Sequence, residues 1–265
     1  MPMNKETKIL FNQLLSTDPA VVSQAVSRTE ARLRASAGDD KLRLLEALLQ
    51  LFYLDLYDRP EMARVQEEAM AAVSRAAADP ELLDILVERL KYPDLKASIA
   101  MARVLGKAGK PAIARLLDFY RTQPDPFGRA MALHALSKIR DAEVLEAGDL
   151  ILEALKDAHS EIRDTAARTV GKYCDYFQPG QFPRAWGDRA FSALIAALSD
   201  PYAPVRAKAM RSLGKMARGG FLHPAQIKQL EQTCRKALGE TDFAWDVAYI
   251  VRVEADEVLK HLVKE

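Results

Sequence analysis

A short pattern recurs along this chain, and the recurrence constrains the fold more than any other feature. Residues 157–171 read DAHSEIRDTAARTVG, and residues 200–214, which begin 43 positions later, read DPYAPVRAKAMRSLG. Residues 246–260, DVAYIVRVEADEVLK, keep the same register. Each copy begins with Asp, has Arg six residues later and has Ala three residues after that Arg. A pattern with a period of a few tens of residues is typical of solenoids built from helix pairs.

The apolar residues of each copy are spaced as on one face of an α-helix. Ile162, Ala166 and Val170 follow one another at intervals of four, and the copy at 200–214 has the same spacing. Weaker copies occupy 65–75, 95–107 and 127–138, and an amphipathic segment precedes each later copy. We therefore predict an all-α protein, a right-handed α-solenoid of about seven helix-turn-helix repeats.

We expect residues 1–265 to form a single domain. In it, 1–58 form divergent N-terminal repeats, 59–240 form regular repeats with a loop insert at 176–186, and 241–265 supply the last repeat helix. End repeats diverge because one of their faces meets water. The segment 42–57 is apolar on almost every side, so we expect the N-terminal helix pair to cover part of it.

The Asp and Arg positions, with the Leu-Gly or Val-Gly pairs at 105–106, 170–171 and 213–214, resemble HEAT repeats. The similarity is to the short bacterial kind found in phycobilin-lyase HEAT-like repeats. It implies a ladder in which each Asp binds an Arg of the neighbouring repeat, through Asp157, Asp200, Asp246, Arg163, Arg206 and Arg252. The turns at Asp94 and Asp125 are shorter and depart from the pattern.

Composition and motifs argue against several classes of protein. The sequence has no GxSxG or HExxH motif, and its histidines and two cysteines have no metal or redox spacing. We therefore predict a non-catalytic protein without a cofactor or a metal. No apolar run is long enough for a signal peptide or a membrane span. We expect a cytoplasmic monomer with no membrane contact.

Two columns of residues are predicted on the concave face, six and ten positions after the core residue that precedes each Arg. The first includes Arg103, His134, Arg168 and Arg211, and the second includes Arg75, Lys107, Lys138, Lys172, Lys215 and His261. We interpret them as a candidate binding stripe for phosphates or an acidic partner. The alternative is that the second column only stabilises helix C-termini. Residues 91–240 carry a net charge of +8 between acidic ends.

The loop insert concentrates aromatic residues around prolines and glycine. Phe182 and Trp186 are candidate contact residues for a partner. The alternative is that their rings fold back and fill the gap between two repeats.

Three functional classes fit these features. We favour a protein-interaction scaffold that binds a protein or peptide on its concave face. A nucleic-acid binder similar to HEAT-like DNA glycosylases is less well supported, because the Asp beside Trp245 belongs to the ladder. A phycobilin-lyase-like assembly factor follows from the resemblance alone, since no residue requires a bilin.

Overall fold

Paired α-helices dominate the architecture of the described residues. The structure is a computed structural model that describes residues 5–92, 94–183, 185–241 and 244–263. The first helices of the pairs are α1 (Lys5–Leu14), α3 (Gly38–Gln50), α5 (Pro80–Glu88), α7 (Lys110–Thr122), α9 (Gly148–Ala154), α11 (Trp186–Ala197) and α13 (Pro224–Leu238). The second helices are α2 (Pro19–Ala35), α4 (Ala63–Ala76), α6 (Leu95–Ala108), α8 (Pro126–Leu136), α10 (Ser160–Tyr176), α12 (Ala203–Arg218) and α14 (Tyr249–Leu262). Within these ranges the fourteen helices form seven repeats, which confirms the predicted all-α solenoid.

The second helices stack in chain order into one continuous layer. Each of them packs on the next, from α2 against α4 to α12 against α14. The first helices pack as a second layer behind them, as in the contacts of α5 with α7 and of α9 with α11. A single hydrophobic core runs between the two layers for the length of the chain. In the described ranges no helix is both long and apolar enough to cross a lipid bilayer.

Three glycines let neighbouring second helices approach closely. A Cβ atom on Gly106 would collide with Lys138, one on Gly171 with Ser212, and one on Gly214 with Val258. The Leu-Gly and Val-Gly pairs in the repeat pattern therefore mark positions where the next repeat rests directly on the helix backbone.

The predicted ladder joins the last four repeats. Arg129 Nη1 lies 2.7 Å from Asp157 Oδ2, and Arg206 Nε lies 2.7 Å from Asp246 Oδ2. Arg163 makes the same contact with Asp200. In each case the Arg belongs to a second helix, and the Asp lies in the turn between the two helices of the next repeat. The repeat pattern thus encodes ties between neighbouring repeats.

The two turns that depart from the pattern are built differently. Asp94 accepts the amide of Ala97, and Asp125 accepts the amide of Gly128, so each carboxylate caps the helix that follows it. Within the described ranges neither carboxylate has an Arg within ion-pair distance, so the ladder begins at Arg129.

The apolar segment at 42–57 forms α3 and a short 3₁₀ turn, Leu51–Tyr53. Leu44, Leu45 and Leu48 on α3 are buried. Contacts of α3 with α1, α2 and α4 supply the cover that the sequence requires.

Candidate functional site

The layer of second helices carries a large open groove, which we call the central groove. Its volume is about 900 Å³, and the second helices of repeats three to six line it. The lining residues are Leu95, Ile99, Asp125, Pro126, Phe127, Ala130, Met131, His134, His159, Ser160, Glu161, Asp164, Thr165, Arg168, Tyr202, Pro204, Val205 and Lys208. Two predicted site residues, His134 and Arg168, lie in this groove.

Large apolar side chains remain accessible on the walls of the central groove. Leu95 is 57% exposed, Ile99 is 40% exposed and Tyr202 is 54% exposed. Phe127 and Met131 lie between them and are half-buried. Exposed apolar groups that cluster in a concave surface are typical of a binding site.

Charged groups occupy the side of the central groove formed by α10 and α12. Arg168 Nη2 lies 3.4 Å from Asp164 Oδ2 on the same helix. Burial raises the pKa of Asp164 and lowers the pKa of Lys208. The groove therefore has an apolar half on α6 and α8 and a polar half on α10 and α12.

His134 lies at the edge of the central groove and is half-buried. Burial, together with the nearby Lys138 and Arg168, lowers its pKa to about 4. The imidazole is therefore neutral at physiological pH, and its neighbours create a positive potential around it.

A second concavity adjoins the central groove, and we call it the basic pocket. Its volume is about 590 Å³, and it lies where α6, α8 and α10 end. Its lining residues are Arg103, Gly106, Lys107, Gly109, Lys138, Arg140, Asp141 and Tyr176. The predicted site residues Arg103 and Lys138 meet here, so the solenoid brings two of the predicted positions into one pocket.

Most cations of the predicted stripe pair with a carboxylate. Arg75 Nε lies 2.6 Å from Glu30 Oε1, Arg211 Nε lies 2.9 Å from Glu254 Oε2, and Lys215 Nζ lies 2.5 Å from Asp175 Oδ2. In each pair the carboxylate comes from a neighbouring repeat. At these positions the charges tie repeats together, which the sequence columns did not indicate.

Three further cations share two carboxylates. Arg103 Nη2 lies 2.5 Å from Glu67 Oε1, and Lys107 Nζ lies 3.5 Å from the other oxygen of the same carboxylate. Lys172 Nζ lies 3.9 Å from Asp175, which Lys215 already contacts. The stripe is thus partly neutralised at these positions.

Lys138 differs from the paired cations of the stripe, and so does Arg140, which lies outside the stripe. Within the described ranges neither side chain has a carboxylate within ion-pair distance. The Arg140 guanidinium lies over the Tyr176 ring, 4.7 Å from its centroid. Burial, with added repulsion from Lys172 and Arg168, lowers the pKa of Lys138.

The aromatic loop forms part of the core, which corrects the expectation that it presents binding residues. Trp186 is fully buried and stacks on Phe182 with 4.3 Å between ring centroids. Phe182 also meets Phe177 and Phe221 edge to face. The rings fill the space between repeats five and six, so Trp186 has no surface to offer a partner. The loop therefore follows the alternative given above, in which its rings fold back and fill the gap between two repeats.

The two cysteines are buried thiols. Burial raises the pKa of Cys174 to about 12 and the pKa of Cys234 to about 12. A thiolate is the reactive form, so neither side chain is a nucleophile at neutral pH. Among the described residues, no group of three or more His, Cys, Asp and Glu is arranged to hold a metal ion.

Sequence reasoning missed the apolar half of the central groove and the part of the basic pocket formed by Arg140 and Tyr176. One signal was present in the sequence: α6 and α8 contain no Asp or Glu. Cations on these two helices therefore lack acidic neighbours on their own helix and depend on carboxylates of other elements, as Arg103 depends on Glu67 and Arg129 on Asp157. A shortage of acidic residues of this kind marks where positive charge can stay uncompensated.

No protein-family model matches the chain, and no curated protein matches it. Solved structures do. A chain of the Kap95:Nup1 complex is 14% identical with a TM-score of 0.53, and the match covers 98% of this chain and 35% of that one. The archaeal HEAT-like repeats protein from Thermococcus onnurineus NA1 is 15% identical with a TM-score of 0.48, covering 100% of this chain and 98% of that one. A designed armadillo repeat protein is 18% identical with a TM-score of 0.46, covering 96% and 98% respectively.

At these identities the likeness concerns the fold alone. The match to the Kap95:Nup1 complex supports the helical solenoid fold. These structures do not bear on the phycobilin-lyase resemblance, which stays a prediction.

Proposed function

We propose that this protein is a non-catalytic scaffold that binds a segment of a partner protein in the central groove. The observation that carries the proposal is the row of accessible apolar side chains, including Leu95 and Ile99, across successive second helices. Leaving such groups in water is unfavourable, and a bound segment with apolar side chains would cover them.

The polarity of the central groove suits a segment of protein better than a small ligand. The groove is open and spans four repeats, so it can hold several consecutive residues of an extended or helical segment. Its polar half offers Arg168, Asp164 and Lys208 to backbone and side-chain groups of that segment. The apolar half would bind the aliphatic or aromatic side chains.

The nucleic-acid alternative has less support. A protein that binds nucleic acid uses many separate cations against successive phosphates. Here Arg75, Arg211 and Lys215 are paired with carboxylates. For a glycosylase-like site, Asp246 would have to be available, and Arg206 holds it in the ladder.

Peptide selection tests the proposal. Peptides are selected from a random display library on the wild-type protein, and their dissociation constants are measured by fluorescence anisotropy. Ile99→Ser should weaken binding about tenfold or more, because it removes an apolar wall of the groove. Ile9→Ser is the matched control: Ile9 is 44% exposed, Ile99 is 40% exposed, and Ile9 lies on α1, away from the groove. Recovery of no peptide, or equal binding by both variants, would contradict the proposal.

A further inference from the structure

We infer that the basic pocket is a binding site for one phosphoryl group, carried by the partner segment that occupies the central groove. The inference rests on the proposed function, because the segment presents the group. The residues that would hold the phosphoryl oxygens are Lys138 and Arg140, with Arg103 and Lys107 at the side of the pocket.

The charges of the basic pocket favour an anion with about two negative charges. Four cations surround the pocket, and two carboxylates oppose them: Glu67, which Arg103 and Lys107 share, and Asp141. Two positive charges remain uncompensated. A phosphorylated side chain carries about −1.5 to −2 charges at neutral pH, whereas a carboxylate carries one. The charge of the pocket therefore matches a phosphoryl group more closely.

The Lys138 ammonium is not used by the fold. Lysines near the end of a helix often satisfy the last carbonyl groups. After α8, however, the backbone amides of Ser137, Lys138 and Ile139 already donate to the carbonyls of Leu133, Ala135 and Leu136. The side chain leaves the backbone next to Gly106, where a Cβ would collide with it. The close helix packing thus places an unpaired ammonium at the pocket.

Arg140 is also held in a position that suits an anion. Its guanidinium rests on the Tyr176 ring, which fixes its plane and leaves N–H donors free for a ligand. A planar fork of N–H donors binds two oxygens of a phosphoryl group at once. Lys138 and Arg140 together thus combine a point charge with a bidentate donor.

The basic pocket is within reach of a segment bound in the central groove. His134 lines the groove and Lys138 lines the pocket, and the two residues are four positions apart along α8 and the turn after it. Four residues rise about 6 Å along a helix. A side chain of the bound segment can therefore extend from the groove into the pocket.

Carboxylates neutralise cations on both sides of the basic pocket, which favours a single anionic group over a polyanion. Toward the C-terminus, Arg211 and Lys215 are neutralised by Glu254 and Asp175. Toward the N-terminus, Arg75 is neutralised by Glu30. A nucleic acid would lie along the whole layer of second helices and would meet these carboxylates.

Calorimetric titration tests the pocket without any peptide. Inorganic phosphate should bind the wild-type protein at low salt about tenfold or more tightly than acetate does. Lys138→Gln and Arg140→Gln should each abolish this preference. Lys228→Gln, on the exposed face of α13, removes the same charge and should leave it intact. Arg140 is exposed in a turn, so its variant keeps the fold. Phosphate binding that is absent, or unchanged in Arg140→Gln, would overturn the inference.

A second titration separates the pocket from the groove. A selected peptide is compared with phosphoserine and with serine at one position. Phosphorylation should tighten binding about tenfold or more, and Lys138→Gln should remove that gain. Ile99→Ser should weaken both peptides equally, because it acts on the groove. If phosphate binds but Ile99→Ser has no effect, the pocket stands and the groove proposal fails. If duplex DNA binds, and Lys172→Gln and Lys215→Gln weaken it as much as Lys138→Gln does, the charge acts as a stripe and the single-site inference fails.

Discussion

Arg163 on α10 donates two hydrogen bonds to Asp200 in the next repeat, with Nε to Oδ2 at 2.5 Å and Nη2 to Oδ1 at 3.0 Å. Its Nη1 donates to the carbonyls of Asp157 and Ala158, in the turn of its own repeat. Asp200 Oδ1 also accepts the amide of Tyr202 at 2.9 Å. One guanidinium therefore joins the turns of two successive repeats.

Replacing Asp200 should destabilise the protein. In Asp200→Ala the largely buried Arg163 loses its carboxylate and the Tyr202 amide loses its acceptor, so we expect a loss of about 1–3 kcal/mol in the free energy of unfolding. Asp149→Ala is the control, because Asp149 makes a single exposed ion pair with Arg189. It should change the stability by about 0.5 kcal/mol or less. Urea unfolding followed by circular dichroism measures both variants. Equal free energies of unfolding for the two variants would show that the ladder does not stabilise the fold.

The ladder should also make stability depend on pH. Burial raises the pKa of Asp200, but hydrogen bonds from Arg163 and the Tyr202 amide lower it, and the net pKa lies below that of an ordinary Asp. The pKa of Asp157 and that of Asp246 are lowered as well. A depressed pKa in the folded state gives stability that is complete above the unfolded pKa, about 3.9, and is lost as the pH falls through the folded pKa.

The stability difference between the wild type and Asp200→Ala should therefore stay constant from neutral pH down to about pH 5 and shrink below about pH 4. Urea unfolding over a pH series provides the measurement. If the stability difference between the two proteins grows as the pH falls, the ion pair does not stabilise the folded state in the way described.

Close packing at the repeat glycines gives a third prediction. Gly214→Ala should destabilise by about 1–3 kcal/mol, because its new Cβ would meet Val258 of the next repeat. The better helix propensity of Ala offsets at most about 1 kcal/mol of this. Gly180→Ala is the control, since no described atom beyond the two adjacent residues lies within 4 Å of the position of its Cβ. Thermal unfolding should separate the two variants clearly, whereas the same melting temperature for both would contradict the packing argument.

The aromatic loop should behave as core. Trp186→Ala should cost about 3–5 kcal/mol, because it removes a fully buried ring that stacks on Phe182. Tyr57→Ala is the control, because Tyr57 is 94% exposed and its loss should be close to neutral. Chemical unfolding followed by circular dichroism is suitable, since the fluorescence of Trp186 is lost in its variant. If the Trp186→Ala protein has wild-type stability, the ring does not stabilise the core, and the loop is again a candidate binding surface.

Much of the fold can be predicted from the sequence, because each copy of the repeat pattern places the same residue types at the same contacts with the next repeat. Asp200, Arg206 and Gly214 occupy one copy of the pattern, and each has a contact that its position in the pattern implies. The copies at 95–107 and 127–138 lack parts of the ladder, and the structure lacks the ladder at Asp94 and Asp125 as well. Local spacing and contacts between repeats that follow one another in the chain determine these features.

The candidate site is less readable from the sequence, because it depends on which carboxylate reaches which cation. Lys138 and Lys215 occupy equivalent positions in the pattern, yet Lys215 binds Asp175 and Lys138 has no such partner among the described residues. Trp186 shows the same limit, because the sequence of a proline-rich loop does not indicate whether its rings point into the solvent or into the core. Three-dimensional packing against Gly148 and Phe182 decides its place.

The ladder makes the junctions between repeats differ along the molecule. Within the described ranges, turn-to-turn Arg–Asp pairs occupy only the last three of the six junctions between repeats, starting at Arg129 and Asp157. The junctions of the N-terminal half carry other ion pairs, such as Arg75 with Glu30 and Lys41 with Asp79, so the two halves of the solenoid are joined in different ways. The central groove lies across the boundary between the two halves, since α6 belongs to one and α12 to the other. Under the proposed function, a segment bound there would bridge the two kinds of junction and so couple the two halves of the solenoid.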